Sequence, residues 1–379
     1  MVARIGVAGA GTMGAGIAQL SCMGGFRTLL HDPDAGALAR GDENLRATLV
    51  KGVDKGWWSR EDAEAASSRL MAAGQLQDLA ECDLVIEAAP ENLDVKRRLF
   101  AELEEICKRG AILATNTSSL SVTAIAAEGS NPERVCGMHF FNPPTRMRLV
   151  EVIAGDATGA ETIDTCLEVA RKMGREPVRA KDSVGFIANR CVRPFNLEAL
   201  RMLGEGVAAH DEIDWVIRED GGYRMGPFEL MDLIGIDVNL SVARSFYSQR
   251  PEPRWEPHPI QEQMVAEGRL GRKSGRGFYD YGEGAVREPG SPPADDVRRA
   301  ILDRVVCQLV NEASFAAEEG VGTREDIDTA MKLGFNHPRG PFDWLAELGA
   351  ARVVGVLDEL AERLNPERYR VAPPLRAAA

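Results

Sequence analysis

The N-terminal stretch RIGVAGAGTMGA, residues 4–15, joins an apolar strand pattern to the start of a helix. Residues 5–8 predict a β-strand, and a GxGxxG motif follows with Gly9, Gly11 and Gly14. In such a strand–turn–helix unit the first glycine permits the tight turn. The second lets the backbone approach a pyrophosphate, and the third lets the helix pack closely on the strand.

The free N–H groups at the start of the helix, at Thr12 and Met13, are expected to face the phosphates of a dinucleotide. A second strand is predicted over residues 26–30, and Asp32 follows it, 21 residues after Gly11. A carboxylate there accepts hydrogen bonds from ribose hydroxyls and repels a 2′-phosphate. Because Pro33-Asp34 adds no cation, we predict NAD rather than NADP. The alternative is a glycine-rich turn without a ligand.

Strand and helix patterns alternate through the first half of the chain. Further strands are predicted over residues 83–88, 111–114 and 135–140, with a helix over 93–108 between the first two. This βαβ alternation predicts an α/β fold with a doubly wound, mostly parallel sheet of the Rossmann type. Residues 33–80 are too many for a loop and predict an inserted helical hairpin.

The second half has long helical patterns and an internal repeat. Residues 198–235 align without a gap on 312–349, at an offset of 114, with 11 identities in 38 positions. We therefore expect a duplicated all-α C-terminal domain. The expected domains are 1–181, an NAD-binding domain, 182–282, a first helical domain, and 296–370, a second helical repeat. The Gly- and Pro-rich residues 283–295 are the expected linker.

Composition limits the classes of function. The net charge of −13 argues against nucleic acid as a partner, and no apolar run is long enough to span a membrane. Seven dispersed cysteines, without a metal-binding spacing, indicate reduced thiols and no metal site. Since the chain enters a strand pattern directly, we expect a cytoplasmic protein.

His139 stands out among the five histidines because it ends an apolar strand, at the sheet edge where α/β proteins bind ligands. Alcohol oxidation releases a proton, and imidazole is suited to accept it near neutral pH. Glu151, flanked by valines, needs a partner if buried, and His139 is a plausible one. The alternative is that His139 merely ends a strand and Glu151 faces solvent.

From residue 1 to about 350 the chain resembles the L-3-hydroxyacyl-CoA dehydrogenase family. The resemblance rests on the order and spacing of residues 9–14, 87–91, 116–119, 139–144, 151 and 185–190. It implies reversible NAD-dependent oxidation of an (S)-3-hydroxyacyl-CoA to the 3-ketoacyl-CoA.

The resemblance also implies roles for individual residues. His139 matches the catalytic base and Glu151 its paired acid, while Ser118 matches the serine that contacts substrate and cofactor, and Asn189 the asparagine at the thioester. The other cofactor positions are Glu91, Lys96, Asn116 and Lys273. For the CoA ester, Ser118, Asn142 and the hairpin residues Lys51 and Lys55 are expected contacts, and Arg60 extends the basic patch. The alternative for the hairpin cations is a solvated helical face.

The second helical copy differs at the substrate position. At the offset of 114, Asn189 falls on Asp303, and a carboxylate cannot donate to a thioester oxygen as an amide can. We therefore expect copy two to be structural and to pack on copy one. It could replace the partner with which shorter family members dimerise, so a monomer and a homodimer both remain open.

Two other functions fit part of the pattern. One is a dehydrogenase of a free hydroxy or sugar acid, such as L-gulonate, on a related scaffold. The other is a non-catalytic NAD-binding structural protein. The basic hairpin favours the acyl-CoA substrate over the first alternative, and the His139/Glu151 pair argues against the second.

Overall fold

The computed structural model describes residues 1–285 and 290–379, which divide into two compact units. Unit 1 is Met1–Phe186 and unit 2 is Ile187–Ala379. Of the expected linker, residues 286–289 lie outside the described residues. No helix in the described ranges combines the length and the apolar composition that a membrane span requires.

Unit 1, whose residues are all described, contains one eight-stranded sheet with helices. The strands are β1 (Arg4–Ala8), β2 (Arg27–His31), β3 (Leu70–Ala73), β4 (Leu84–Glu87), β5 (Ile112–Thr115), β6 (Val135–Phe140), β7 (Leu149–Ala154) and β8 (Glu176–Lys181). The helices are α1 (Thr12–Met23), α2 (Ala35–Asp54), α3 (Arg60–Arg69), α4 (Leu93–Ile106), α5 (Val122–Ala126) and α6 (Ala160–Lys172).

The strands lie in the order β3-β2-β1-β4-β5-β6-β7-β8. The first six are parallel, β7 runs antiparallel to β6, and β8 is parallel to β7. Helices cover the sheet, so its central strands read as apolar runs; Ile5, Val7 and Ile86 are fully buried. The predicted α/β class is confirmed.

Two strands were not predicted. β3 lies within residues 33–80, where only the helical hairpin, now α2 and α3, was expected. Its sequence, LMAA, has no β-branched residue, and it is a strand because its backbone pairs with the edge of β2. β8 contains Pro177, which is tolerated because β8 is the other edge of the sheet.

Unit 2 is helical, as expected. Its helices are α7 (Ala188–Cys191), α8 (Arg193–Gly204), α9 (His210–Glu219), α10 (Pro227–Ile234), α11 (Ile236–Gln249), α12 (Pro259–Ala266), α13 (Asp295–Glu318), α14 (Arg324–Gly334), α15 (Pro341–Leu348), α16 (Ala350–Arg363) and α17 (Pro373–Ala378). We call residues 188–266 copy one and residues 295–378 copy two. α10 and α15, and α11 and α16, begin at the repeat offset of 114 residues.

The two copies pack together through reciprocal ion pairs. Arg190 Nε lies 2.7 Å from Glu312 Oε1, and at the same offset Arg304 Nε lies 2.8 Å from Glu198 Oε2. Because each arginine reaches the glutamate of the other copy, the contact has the pattern of an isologous interface within one chain.

Each arginine also binds a second glutamate. Arg190 Nη1 lies 2.8 Å from Glu319, and Arg304 Nη1 lies 2.6 Å from Glu205. Burial by itself would raise the pKa of Glu319, but hydrogen bonds from Arg190 and Arg250 lower that pKa to about 2. The carboxylate is thus held charged by its partners.

Candidate active site

The glycine turn after β1 borders a cavity of about 960 Å³ in unit 1. A Cβ at Gly9 or Gly14 would overlap neighbouring backbone, of Ala88 and Gly9 respectively, and Gly9 has φ +115°. A Cβ at Gly11 would have no heavy atom within 4 Å. The protein itself therefore requires two of the glycines, while the space at Gly11 fits the close approach of a pyrophosphate.

The same cavity is lined by Thr12, Met13 and Asp32. Asp32 Oδ2 accepts a hydrogen bond from the N–H of Ala10 at 2.8 Å, and Oδ1 accepts one from Asp34 at 2.9 Å. These bonds fix the carboxylate at the end of β2, beside the glycine turn. The position fits recognition of a ribose, so the residues present suit NAD.

A buried polar network lies at the carboxyl ends of β4 and β5. Lys96, only 1% exposed, places its ammonium 2.6 Å from Glu87 Oε1, and Thr115 donates to Glu87 Oε2 at 2.6 Å. The sequence motif of residues 87–91 contains Glu87, but no role was predicted for this residue. Its sequence signal was a carboxylate at the end of an apolar strand, which needs a buried partner.

Glu91 connects this network to the loop after β5. Its Oε2 lies 3.3 Å from Lys96, and its Oε1 accepts hydrogen bonds from Thr117 Oγ1 at 2.6 Å and from the N–H of Ser118 at 3.0 Å. Burial would raise the pKa of Glu91, but the bond from Thr117 and the charge of Lys96 outweigh it and lower the pKa. Glu91 therefore holds the loop of Ser118 as a carboxylate.

Asn116 anchors the same loop to the neighbouring strand. Its side-chain oxygen accepts a hydrogen bond from the N–H of Phe140 at 2.8 Å. Ser118 is exposed two residues further on, and Asn142 is exposed just after β6. Ser118, Asn142 and His139 thus follow or end neighbouring parallel strands at one edge of the sheet.

His139 and Glu151 form a buried pair. They lie directly opposite each other in the antiparallel register of β6 and β7, so their side chains share one face of the sheet. His139 Nδ1 lies 2.7 Å from Glu151 Oε2, with His139 5% and Glu151 0% exposed. The ring of Phe141 packs 4.4 Å from the imidazole, centroid to centroid. The arrangement fixes the ring and leaves proton exchange to Nε2.

The helical hairpin presents its cations in two places. Lys51 lines a second cavity of unit 1, of about 630 Å³, together with Gly11 and Thr145. Lys55 lies over the ring of Trp57 at 5.8 Å, and Arg146 lies over the same ring at 5.9 Å. Trp57, 49% exposed, was not predicted as a functional residue. Arg60 starts α3 and is exposed.

The two predicted site residues of unit 2 have different surroundings. Asn189 lies on the short helix α7 and is half-buried. Lys273 pairs with Asp237, with Nζ 2.5 Å from Oδ1. Among the described residues, no group of three or more His, Cys, Asp or Glu is arranged to hold a metal ion.

Fold and site together define a nicotinamide-dependent oxidoreductase. The family model for the NAD-binding domain of 3-hydroxyacyl-CoA dehydrogenase matches residues 4–183. The model for the C-terminal domain of that family matches twice, at residues 185–281 and 301–378. The double match agrees with the repeat found in the sequence.

Individual relatives agree with the family models. The chain is 38% identical to a 3-hydroxyadipyl-CoA dehydrogenase of Escherichia coli, over 100% of this chain and 98% of the relative. It is 40% identical to a 3-hydroxybutyryl-CoA dehydrogenase of Clostridioides difficile, over 73% of this chain and 99% of that protein. A crystal structure of a 3-hydroxybutyryl-CoA dehydrogenase from Escherichia coli matches with a TM-score of 0.93 and 37% identity, covering 100% and 98% of the two chains.

The chain belongs to the 3-hydroxyacyl-CoA dehydrogenase family. It is an NAD-dependent enzyme that oxidises 3-hydroxyacyl-CoA. The predicted family, cofactor and reaction are confirmed, and the free hydroxy acid and structural-protein alternatives are not supported.

Proposed function

We propose that His139 is the general base that takes the proton from the 3-hydroxyl of an (S)-3-hydroxyacyl-CoA. NAD, when bound, would supply the hydride acceptor. The observation that carries the proposal is the buried pair of His139 Nδ1 and Glu151 Oε2 at 2.7 Å. As His139 accepts the proton at Nε2, Glu151 stabilises the imidazolium; in reverse, the imidazolium protonates the alkoxide of the 3-ketoacyl-CoA.

Ser118 and Asn189 are proposed to position the substrate oxygens, Ser118 at the hydroxyl and Asn189 at the thioester. Ser118 is supported by its place in the loop that Glu91 holds, and Asn189 by the half-buried start of α7. Glu91, Lys96 and Asn116 are proposed to shape the nicotinamide end of the cofactor site, and Lys273 to act near it. Since Lys96 is buried against Glu87, we assign it a positioning role.

The CoA part of the substrate is proposed to bind along the hairpin. Lys51 and Lys55 provide cations for its phosphates, and the exposed ring of Trp57, beside Lys55 and Arg146, offers a stacking surface for adenine. Asn142 is proposed to contact the ester nearer the reacting end.

The experiment follows NADH absorbance when purified protein, NADH and acetoacetyl-CoA are mixed. We expect rapid NADH loss with the wild type, and a decrease of about 10²–10⁴-fold in kcat for His139→Gln, because a general base contributes that factor. Free acetoacetate is the control and should react slowly. The CoA ester of a six-carbon dicarboxylic 3-keto acid is the second test substrate. It is included because one relative is a 3-hydroxyadipyl-CoA dehydrogenase and another is a 3-hydroxybutyryl-CoA dehydrogenase. NAD binding without turnover of any CoA ester would refute the proposal.

We further propose that the chain is a monomer, because its two helical copies already make the reciprocal ion pairs of an isologous interface. Light scattering after size-exclusion chromatography should give a mass near 41.2 kDa. Twice that mass would show that the duplication does not replace a partner.

A further inference from the structure

Copy two has a charged concave face. A cavity of about 630 Å³ is bordered by residues of copy two and by the turn at residues 219–222 of copy one. Asp303, Arg339 and Glu347 are among the residues that line it. Because copy one has the same architecture, this face defines a corresponding face on copy one.

The correspondence between the copies holds at the level of single bonds. Asp214 in copy one accepts a hydrogen bond from the N–H of Phe228 at 2.9 Å, and Asp328 in copy two accepts one from Phe342 at 2.8 Å. Both residues that precede the last long helix of their copy, Gly235 and Gly349, have positive φ, +107° and +80°. The offset of 114 residues therefore relates equivalent positions of the two faces.

The face of copy one is apolar where that of copy two is charged. Leu233 and Val238, 49% and 44% exposed, occupy the positions of Glu347 and Arg352. Exposed apolar side chains of this size, grouped on one face, mark a binding surface. Seven of the equivalent pairs, copy two first, are Asp303 and Asn189, Pro338 and Arg224, Arg339 and Met225, Trp344 and Leu230, Glu347 and Leu233, Leu348 and Ile234, and Arg352 and Val238.

Arg224 is the charged residue among these seven positions. Among these seven copy-one residues, all of them described, it alone is charged, and copy two has Pro338 in its place; Lys181, the equivalent of Asp295, belongs to unit 1. Its side chain is exposed, and in the described parts of the chain no carboxylate lies within ion-pair distance of it. An arginine beside apolar side chains, with its fork of donors available, is suited to bind a carboxylate in two-point contact.

We propose that Arg224 is a specificity-determining residue that binds the terminal carboxylate of a dicarboxylic 3-hydroxyacyl chain. This inference rests on the proposed function, in which Asn189 on the same face holds the thioester. The apolar residues then contact the methylene groups between thioester and carboxylate, and Arg224 meets the charged end. A chain that ends in a methyl group would leave the guanidinium without a partner.

The test compares CoA esters of equal length, those of 3-hydroxyhexanedioate and 3-hydroxyhexanoate, and the corresponding eight-carbon pair. Arg224→Met should lower kcat/KM for at least one dicarboxylic ester by about 10- to 100-fold, mainly through KM, since a hydrogen-bonded charge is lost. The monocarboxylic esters should keep their kcat/KM or improve. Arg224→Lys keeps the positive charge but loses the two-point geometry of the guanidinium. Its kcat/KM for the dicarboxylic esters should lie between the values of the wild type and of Arg224→Met.

Arg363→Met is the matched control, because Arg363 is an exposed arginine of copy two whose ion pair with Glu359 lies within one helix, α16. It should change neither substrate preference nor activity. Two results would overturn the role of Arg224 and leave the proposed function intact. One is an equal loss of kcat/KM for dicarboxylic and monocarboxylic esters in Arg224→Met, and the other is an unchanged ratio of the two kcat/KM values at both chain lengths. Failure of the wild type to turn over any ester would instead overturn the proposed function, and this inference with it.

Discussion

At the scale of single residues, the three glycines of the first turn have different constraints. Gly9 and Gly14 are required by the contacts of their own backbone, whereas Gly11 faces open space. A methyl group at Gly14 therefore disturbs packing, and one at Gly11 intrudes only on what binds there.

We predict that Gly11→Ala raises the KM for NAD by about 5- to 150-fold, the equivalent of an overpacking cost of about 1–3 kcal/mol, without lowering the melting temperature. Gly14→Ala is the paired variant and should lower the melting temperature itself. Steady-state kinetics and thermal unfolding measure the two effects. A destabilised Gly11→Ala variant with unchanged KM would contradict the assignment.

Glu151 belongs to the same scale, because its effect passes through one bond to His139. Glu151→Gln keeps the size but removes the charge that stabilises the imidazolium. We predict a decrease of about 10²–10⁴-fold in kcat with little change in KM. The pH dependence of kcat in the oxidation direction should also move to lower pH, because an imidazole without the stabilising carboxylate is less basic and is neutral, and able to accept a proton, at lower pH. A loss of activity with an unmoved pH profile and a lowered melting temperature would indicate a structural role only.

At the scale of elements, the helical hairpin carries the surface proposed for CoA. Trp58 anchors the tip by donating from Nε1 to the carbonyl of Leu49 at 2.8 Å, and it packs edge-on against Trp57. The exposed ring of Trp57 is thus held within reach of both Lys55 and Arg146.

We predict that Trp57→Ala raises the KM for acetoacetyl-CoA by about 5- to 150-fold, the range that corresponds to loss of about 1–3 kcal/mol of base stacking. The acetoacetyl thioester of pantetheine lacks the nucleotide and serves as the control, with KM unchanged by the variant. If both thioesters lose affinity equally, the nucleotide does not bind at Trp57.

At the scale of the whole molecule, charge pairs join the two copies of unit 2. The pKa of Glu319 is lowered to about 2, and the pKa of buried Glu198 and Glu312 is also lowered, because arginines offset the cost of burial. A carboxylate that binds protons more weakly when folded stabilises the protein above its unfolded pKa of about 4.3. This stability is lost as the pH falls through the folded pKa.

We therefore predict that the free energy of unfolding decreases between pH about 4.5 and about 2. Arg190→Met leaves Glu312 buried without that partner, so it should cost about 3–5 kcal/mol at neutral pH and move the acid transition to higher pH. Arg304→Met should lose a similar amount of stability and show a similar shift of the acid transition, because Arg304 holds the equivalent position in copy two. Arg363→Met should show neither effect. Urea unfolding at several pH values measures the free energy of unfolding of each variant. An unchanged acid transition in Arg190→Met would show that the ion pairs do not contribute to the pH dependence of stability.

The sequence alone determined the class of fold, the dinucleotide turn and the repeat, because these depend on local patterns. Spacing of glycines, strand periodicity and a constant offset are properties of neighbouring or repeated residues. The family resemblance likewise needed only the order and spacing of motifs. The position of Glu151 could be suspected because a carboxylate within a buried strand requires a partner.

Only the tertiary structure decided which distant groups meet. The edge strand β3 exists because β2 offers a free edge, although its own residues favour a helix. The Glu87–Lys96 pair, the cations around Trp57 and the arginines shared between the copies join residues on different elements. Such contacts are set by the register of strands and the packing of helices, which a local pattern does not contain.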